Sequence, residues 1–149
     1  MFGELSTAQI EEVLTQEYIG RIGCQAQGRI YVVPISYVYE GDSIYAHSPA
    51  GLKIKMMRQN PEVCFEVEQI SDLLDWRSVI VWGRFEELHG EQAEQAMRLL
   101  INRLGPHMPQ EPAGEQHSAQ HDAENPERMP VLYRIQLREK TGRYEPGPW

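Results

Sequence analysis

The sequence predicts a mainly β (α+β) fold, a small six-stranded antiparallel barrel with peripheral helices. Three observations predict it. Six runs rich in β-branched and aromatic residues follow one another, most of them joined by short turns containing Gly or Asp. One run, residues 62–68, alternates strictly, with Val63, Phe65 and Val67 on one parity and acids on the other. Helical periodicity is confined to a few short stretches, and no repeat of solenoid period is visible.

The chain opens with Ser6-Thr7-Ala8-Gln9, which reads as a capping box: the Ser6 hydroxyl caps, and Gln9 reaches back. Ile10, Val13 and Leu14 then share one face of a short helix suited to covering one end of a barrel. Residues 18–26 form the first strand, with glycines that signal curvature or close backbone approach. Gln27-Gly28 makes a tight turn into a strand over residues 30–39, apolar on both parities and so read as buried on both faces. Pro34 within it cannot donate to a ladder, which puts it at an edge, a bulge or an opening in the sheet.

Glu40-Gly41-Asp42 is the next hairpin turn, and residues 43–48 the third strand. Pro49 suits the first turn of a helix carrying Leu52, Ile54, Met56 and Met57, which Asn60-Pro61 ends. After the alternating fourth strand, residues 69–75 read as a connection. Residues 79–85 (VIVWGRF) are the most hydrophobic strand and belong at the centre of the core. Residues 90–104 form a helix with an apolar stripe of Ala93, Ala96, Met97, Leu100, Ile101 and Leu104, stopped at Gly105. Residues 106–130 hold prolines 106, 109, 112, 126 and 130 and almost no large apolar side chain, the signature of a long flexible loop. Residues 131–138 alternate as a closing strand, and the tail 139–149 is Gly/Pro-rich and expected to drape over the surface or a partner.

Composition narrows the function. The length of 149 residues fits one domain spanning 1–149 with a real core, and 41% hydrophobic with 24% charged residues is the balance of a soluble globular protein. No apolar run approaches a membrane span, and the N-terminus carries no basic segment before an apolar one, so a cytoplasmic address is expected. Cys24 and Cys64 stand in no paired spacing and read as two buried thiols in a reducing compartment. A net charge of −8 argues against general nucleic-acid binding.

Within this acidic chain, residues 43–61 contain no Asp or Glu but do contain Lys53, Lys55 and Arg58. A strand feeding a helix start through the small-residue turn Ser48-Pro49-Ala50-Gly51, followed by Lys53, is a place to put an anion. A solvated basic helix face explains the same residues. A second candidate is Trp76-Arg77-Ser78: a flat stacking surface, a fork of donors and a hydroxyl in three residues suit a phosphate bearing an aromatic group.

The order VVPISY, YAHSPAGLK, NPEVCFEVE and WRSVIVWGRFEEL resembles the FMN-binding split β-barrels related to pyridoxamine 5′-phosphate oxidase. Within them it is most similar to the nitroimidazole-resistance-type branch. The resemblance covers residues 19–88 well and the final LYRIQLREKTGR more loosely. It implies a homodimer holding FMN in a cleft between subunits. Val33, Pro34, Ile35 and Ser36 would border the flavin ring, and His47, Ser48, Gly51 and Lys53 the ribityl chain and phosphate. Trp76, Arg77 and Ser78 would form the second wall. His47 is the catalytic candidate, as a donor toward cofactor or substrate; a simple strand-end hydrogen bond is the alternative.

The resemblance further implies an oxidoreductase acting on a small molecule, nitroaromatic compounds among the candidates. Relatives also suggest a flavin- or haem-binding carrier without turnover, or a deazaflavin-dependent reductase. The C-terminal residues that recognise pyridoxal phosphate in true pyridoxamine phosphate oxidases have no counterpart in LYRIQLREKTGRYEPGPW, so vitamin B6 chemistry is not implied. His107, His117 and His121 read as ordinary loop histidines, and no metal site is expected. No dinucleotide fingerprint is present to name an electron donor.

Overall fold

Tyr37 is the point where the chain crosses from one edge of the sheet to the other. A computed structural model describes residues 3–109 and 129–146. It contains β1 (Gly3–Glu4), α1 (Thr7–Gln16), β2 (Ile19–Ala26), β3 (Arg29–Ser36), β4 (Val38–Glu40), β5 (Ser43–Ser48) and α2 (Leu52–Gln59). These are followed by β6 (Glu62–Asp72), β7 (Asp75–Glu87), α3 (Gly90–Leu104), a 3₁₀ turn over Gly105–His107, and β8 (Val131–Pro146). The strands make one sheet in the order β3-β2-β6-β7-β8-β5-β4, with β1 also on β8, and every pairing is antiparallel. β3 and β4 are separated in sequence by Tyr37 alone, yet they stand at opposite ends of that order. The sheet therefore curls until its edges meet at Tyr37 without pairing, which is a split barrel.

Tyr37 is fully buried, donates its hydroxyl to the Leu14 carbonyl at 2.8 Å and meets Phe65 edge-on with ring centroids 4.8 Å apart. The seam is thus plugged by an aromatic side chain whose polar end is satisfied. α1 closes that end of the barrel. Its capping box is present, with Ser6 Oγ accepting from the Gln9 amide and the Gln9 side chain accepting from the Ser6 amide, and Ile10, Val13 and Leu14 are buried. Two-residue turns set the register of two hairpins: Gln27-Gly28 and Gly41-Asp42 all have positive φ, as type I′ turns require. Lys140 of β8 donates to Glu11 at 2.7 Å, to the Tyr39 hydroxyl at 2.8 Å and to Asp42. It ties α1 and the β4–β5 turn to the sheet.

Several expectations are corrected. The sheet has eight strands rather than six. The run over residues 30–39 is two strands parted at Tyr37. It is not buried on both faces: β3 is an edge strand, with Ile30 75% and Val32 62% exposed. Pro34 sits on that edge opposite Arg21, where the missing amide costs no interior ladder bond. Residues 69–75 are no loose connection but the tip of the long β6–β7 hairpin. α2 begins at Leu52 with Gly51 as its cap, so Pro49 precedes the helix. The tail does not drape over the surface. As far as Pro146 it continues β8, paired with β7 from Glu139 onward, and Gly142 lies where a Cβ would come within 2.8 Å of Leu5. Its glycine serves close packing rather than looseness. The expected loop over residues 106–130 lies mostly outside the described residues.

Candidate functional site

A cavity of about 430 Å³ opens between the β3 edge, the end of β5, the start of α2 and the face of α3. Its floor is Pro34, Ile35, Ser36, His47, Ser48, Pro49 and Lys53, and α3 lends Met97, Leu100, Ile101 and Leu104 as an apolar roof. Of its stripe Ala96 and Leu100 are buried, and Met97, Ile101 and Leu104 join Leu100 in lining the cavity. The volume lies in the range of small-molecule sites.

The electrostatics of the floor are one-sided. α2 has no acid in its first turn and no side-chain cap, so the first amides of the helix are left to another acceptor. Lys53 is half-buried, and among the described residues no carboxylate pairs with it. Burial lowers its pKa, with a small opposing pull from Cys24. A partly desolvated ammonium without a counter-ion favours an anion as ligand. The His47 ring is open to solvent on one side, but packing withdraws water from the rest, and Lys53 adds repulsion. Both lower its pKa, so the imidazole is neutral at neutral pH. Ser48 is buried, and its Oγ lies 3.4 Å from the hydroxyl of the fully buried Tyr133. Cys24, also buried, is a free thiol with its pKa raised, mainly by burial.

Seven of the eleven residues singled out in the sequence come together here: Pro34, Ile35, Ser36, His47, Ser48 and Lys53 line the cavity, and Gly51 caps the helix that borders it. Val33 shares the inward face of β3 with Ile35 but packs on the core and does not line the cavity. Trp76, Arg77 and Ser78 do not line this cavity in the same chain. Trp76 and Ser78 lie on the outer face of β7, while Arg77 points the other way, 3.9 Å from Glu12 of α1. The His107 ring packs at a tilt against Tyr18, centroids 4.4 Å apart, while His117 and His121 lie outside the described residues. A larger groove of about 660 Å³ runs along the outer face past Trp76, Ser78, Ile80 and Trp82, but its Lys140 is already held by acids. Arg143 on that groove is exposed to solvent, whereas Lys53 in the smaller cavity is half-buried and has no carboxylate partner among the described residues.

Sequence reasoning missed the α3 roof, Tyr133, and an ionic cluster beside Ser78. The stripe of α3 was readable, but not which part of it the core would leave free. In the cluster Ser78 donates to Glu66 at 2.8 Å, and Arg21 meets Glu68 at 2.5 Å and Glu66 at 3.8 Å. Burial, and then the neighbouring Glu68, raise Glu66 from an ordinary 4.5 to about 7, while Glu68 is lowered by its contacts with Glu66 and Arg21. The folded pair holds a proton that the unfolded chain has released, so this pair loses stability as pH rises from about 5 through 7. Glu66→Gln keeps an acceptor for Ser78 and removes the titration. Its melting temperature relative to wild type is expected to be higher at pH 8 than at pH 5; parallel pH profiles would count against this assignment.

The family profile described as pyridoxamine 5′-phosphate oxidase matches residues 6–144, from the α1 cap almost to the end of β8. The chain belongs to this family. A crystal structure of an FAD-binding protein from Mesorhizobium loti is 32% identical, covers 97% of this chain and 98% of its own, and superposes with a TM-score of 0.73. A protein assigned to 5-nitroimidazole antibiotic resistance in Bacteroides thetaiotaomicron is 20% identical, with coverage of 97% and 87% and a TM-score of 0.71, and so shares the fold. An uncharacterized protein of Rhizobium meliloti is 33% identical over 88 residues, 59% of this chain; the match spans 58% of that relative's length. The cavity borders the edge strand β3, beside the open seam of the barrel. No helix among the described residues is long and apolar enough to cross a membrane.

Proposed function

We propose that the chain binds a flavin nucleotide, FMN, with its phosphate on Lys53 and the α2 amides, and acts as a cytoplasmic oxidoreductase on a small molecule. The observation that carries this reading is the half-buried Lys53, without a carboxylate partner among the described residues, on the floor of a cavity with an apolar roof. The 32% identity to an FAD-binding protein supports a flavin. The residues present fit the group: the uncapped helix start and Lys53 suit a phosphate, and the exposed edge of β3 at Pro34 and Ser36 leaves backbone for a flat ring. Bound flavin would supply the electron or hydride transfer. His47, neutral at neutral pH, serves as a hydrogen-bonding group toward cofactor or substrate rather than as a cationic acid. The roof of Met97, Leu100, Ile101 and Leu104 keeps water away and favours a flat apolar substrate such as a nitroaromatic.

The proposed assembly is a homodimer, with the second wall contributed by the partner subunit. Support comes from the outer sheet face, where Ile19, Val32, Ile70 and Ile80 are exposed around the half-buried Trp76 and Trp82. The registers place two apolar groups on this face, Val32 beside Gly23 with Cys64 beside Trp82, and Ile70 beside Trp76, on either side of the Arg21, Glu66 and Glu68 cluster; exposed apolar groups rimmed by polar ones mark association. Trp76 and Ser78 lie on that face, and Arg77 would exchange its long contact with the exposed Glu12 for phosphate.

The test is the purified protein. An absorption spectrum after incubation with FMN or FAD, the mass in solution, and anaerobic reduction by NADH or NADPH with reoxidation by a nitroaromatic are measured together. A dimer with a flavin spectrum that cycles is expected. Flavin bound without cycling would reduce the reading to a carrier, and a monomer that binds no flavin would end it.

A further inference from the structure

The Ser48–Tyr133 pair has more protons than its contact can use. Two hydroxyls lie 3.4 Å apart, and either geometry of donation is open to them. One proton occupies the contact, and the other must point elsewhere. Tyr133 is fully buried, packed against Phe85 at a centroid distance of 5.4 Å. Among the described residues Ser48 is its hydrogen-bond partner. If Ser48 donated to Tyr133, the phenolic proton would be stranded in the core, where an unpaired donor is expensive. If Tyr133 donates, the spare proton is that of Ser48, which lines the cavity beside Lys53. The second arrangement leaves no donor stranded.

We infer that Tyr133 is a positioning residue which, by donating to Ser48 Oγ, fixes the Ser48 hydroxyl as a donor toward an anionic group held at Lys53. Burial keeps the phenol protonated: its pKa is pushed up to about 12, so it remains a donor throughout the neutral range. A serine free to rotate can accept from a neutral ligand or donate to an anion. One whose lone pair is engaged from behind is biased to donate, and that selects phosphate over an uncharged terminus. β5 and β8 hold the arrangement rigidly, because Ala46 pairs with Tyr133 and Ser48 with Val131 in the ladder. The inference rests on the flavin-nucleotide reading and extends it from Lys53 to a residue to which the resemblance assigns no role.

The probes are FMN and riboflavin, which differ by the phosphate, titrated by fluorescence quenching into the full chain. Tyr133→Phe keeps the ring that packs on Phe85 and removes the donor. It is expected to weaken FMN roughly fivefold to tenfold and to leave riboflavin unchanged. Ser48→Ala should do the same, and the double variant should lose no more than either single one, because both changes break one linked pair. An equal loss for both ligands in Tyr133→Phe, or an unchanged preference for FMN, would overturn the inference while leaving the nucleotide reading standing. Wild-type protein that binds FMN no more tightly than riboflavin would overturn the phosphate site itself, and this inference with it.

Discussion

Lys53→Ala is expected to lower FMN affinity by about 10- to 100-fold, the worth of a charge-assisted hydrogen bond of about 1.5–3 kcal/mol. The ammonium is half-buried and has no carboxylate partner among the described residues. Its lowered pKa reports that the protein around it does not compensate its desolvation. A phosphate would supply that compensation. Removing the side chain takes away the charge but leaves the α2 amides, so binding should weaken rather than vanish. Riboflavin affinity should change much less, because the lost contact is to the phosphate. The fold should be indifferent or slightly steadier, since an uncompensated cation is removed; a melting curve on the same sample separates binding from stability. Equal loss of FMN and riboflavin would show that Lys53 shapes the cavity rather than holding an anion. Arg77→Ala in the same titration tests the second wall: an unchanged affinity would leave Arg77 with Glu12 and remove it from the site.

Gly83→Ala is expected to destabilise the protein by about 3 kcal/mol, at the upper end of overpacking costs, and to lower the melting temperature by roughly 10 °C. Gly83 stands at the irregularity between Trp82 and Gly83 where β7 shifts register against β8. A Cβ there would lie 2.3 Å from the backbone oxygen of Gln136 and 2.9 Å from the Ile135 side chain. Backbone cannot rotate away as a side chain would, so the two central strands of the sheet must part. Thermal denaturation followed by circular dichroism measures the loss. Gly28→Ala is the matched control: no atom lies within 4 Å of the added methyl, so only the cost of its positive φ remains. An unchanged melting temperature for Gly83→Ala would contradict the close approach of β7 and β8.

Much of this fold was legible because local signals and tertiary context agreed. The capping box at Ser6, the hairpin turns, the strict alternation of residues 62–68 and the α3 stripe each specify one element without reference to the rest. What failed depended on partners distant in sequence. Apolar residues on both parities of β3 look like a buried strand, but the face carrying Ile30 and Val32 is uncovered in a single chain. The Gly/Pro content of the tail reads as irregular, yet Gly142 is small because Leu5 and Ile10 press on it. The strand break at Tyr37 follows from barrel closure, which no local window contains.

The candidate site divides the same way. His47, Ser48, Gly51 and Lys53 are close in sequence, so a turn into a helix was enough to gather them. Pro34 to Ser36 join them because β3 ends beside that turn. Tyr133 and the α3 roof arrive from far along the chain and carry no signature of their own. Trp76, Arg77 and Ser78 are adjacent in sequence, but strand alternation sends Arg77 to the opposite face from its neighbours. A three-residue motif on a strand does not make a three-residue surface.

The account stands or falls on whether the Lys53 cavity takes a flavin nucleotide. Calorimetric titration of the purified chain with FMN measures this directly. The account predicts saturable binding near one FMN per chain, with affinity falling as salt is raised because a charge pair contributes. Absence of binding with FMN and FAD alike, in protein whose thermal melt confirms that it is folded, would contradict it.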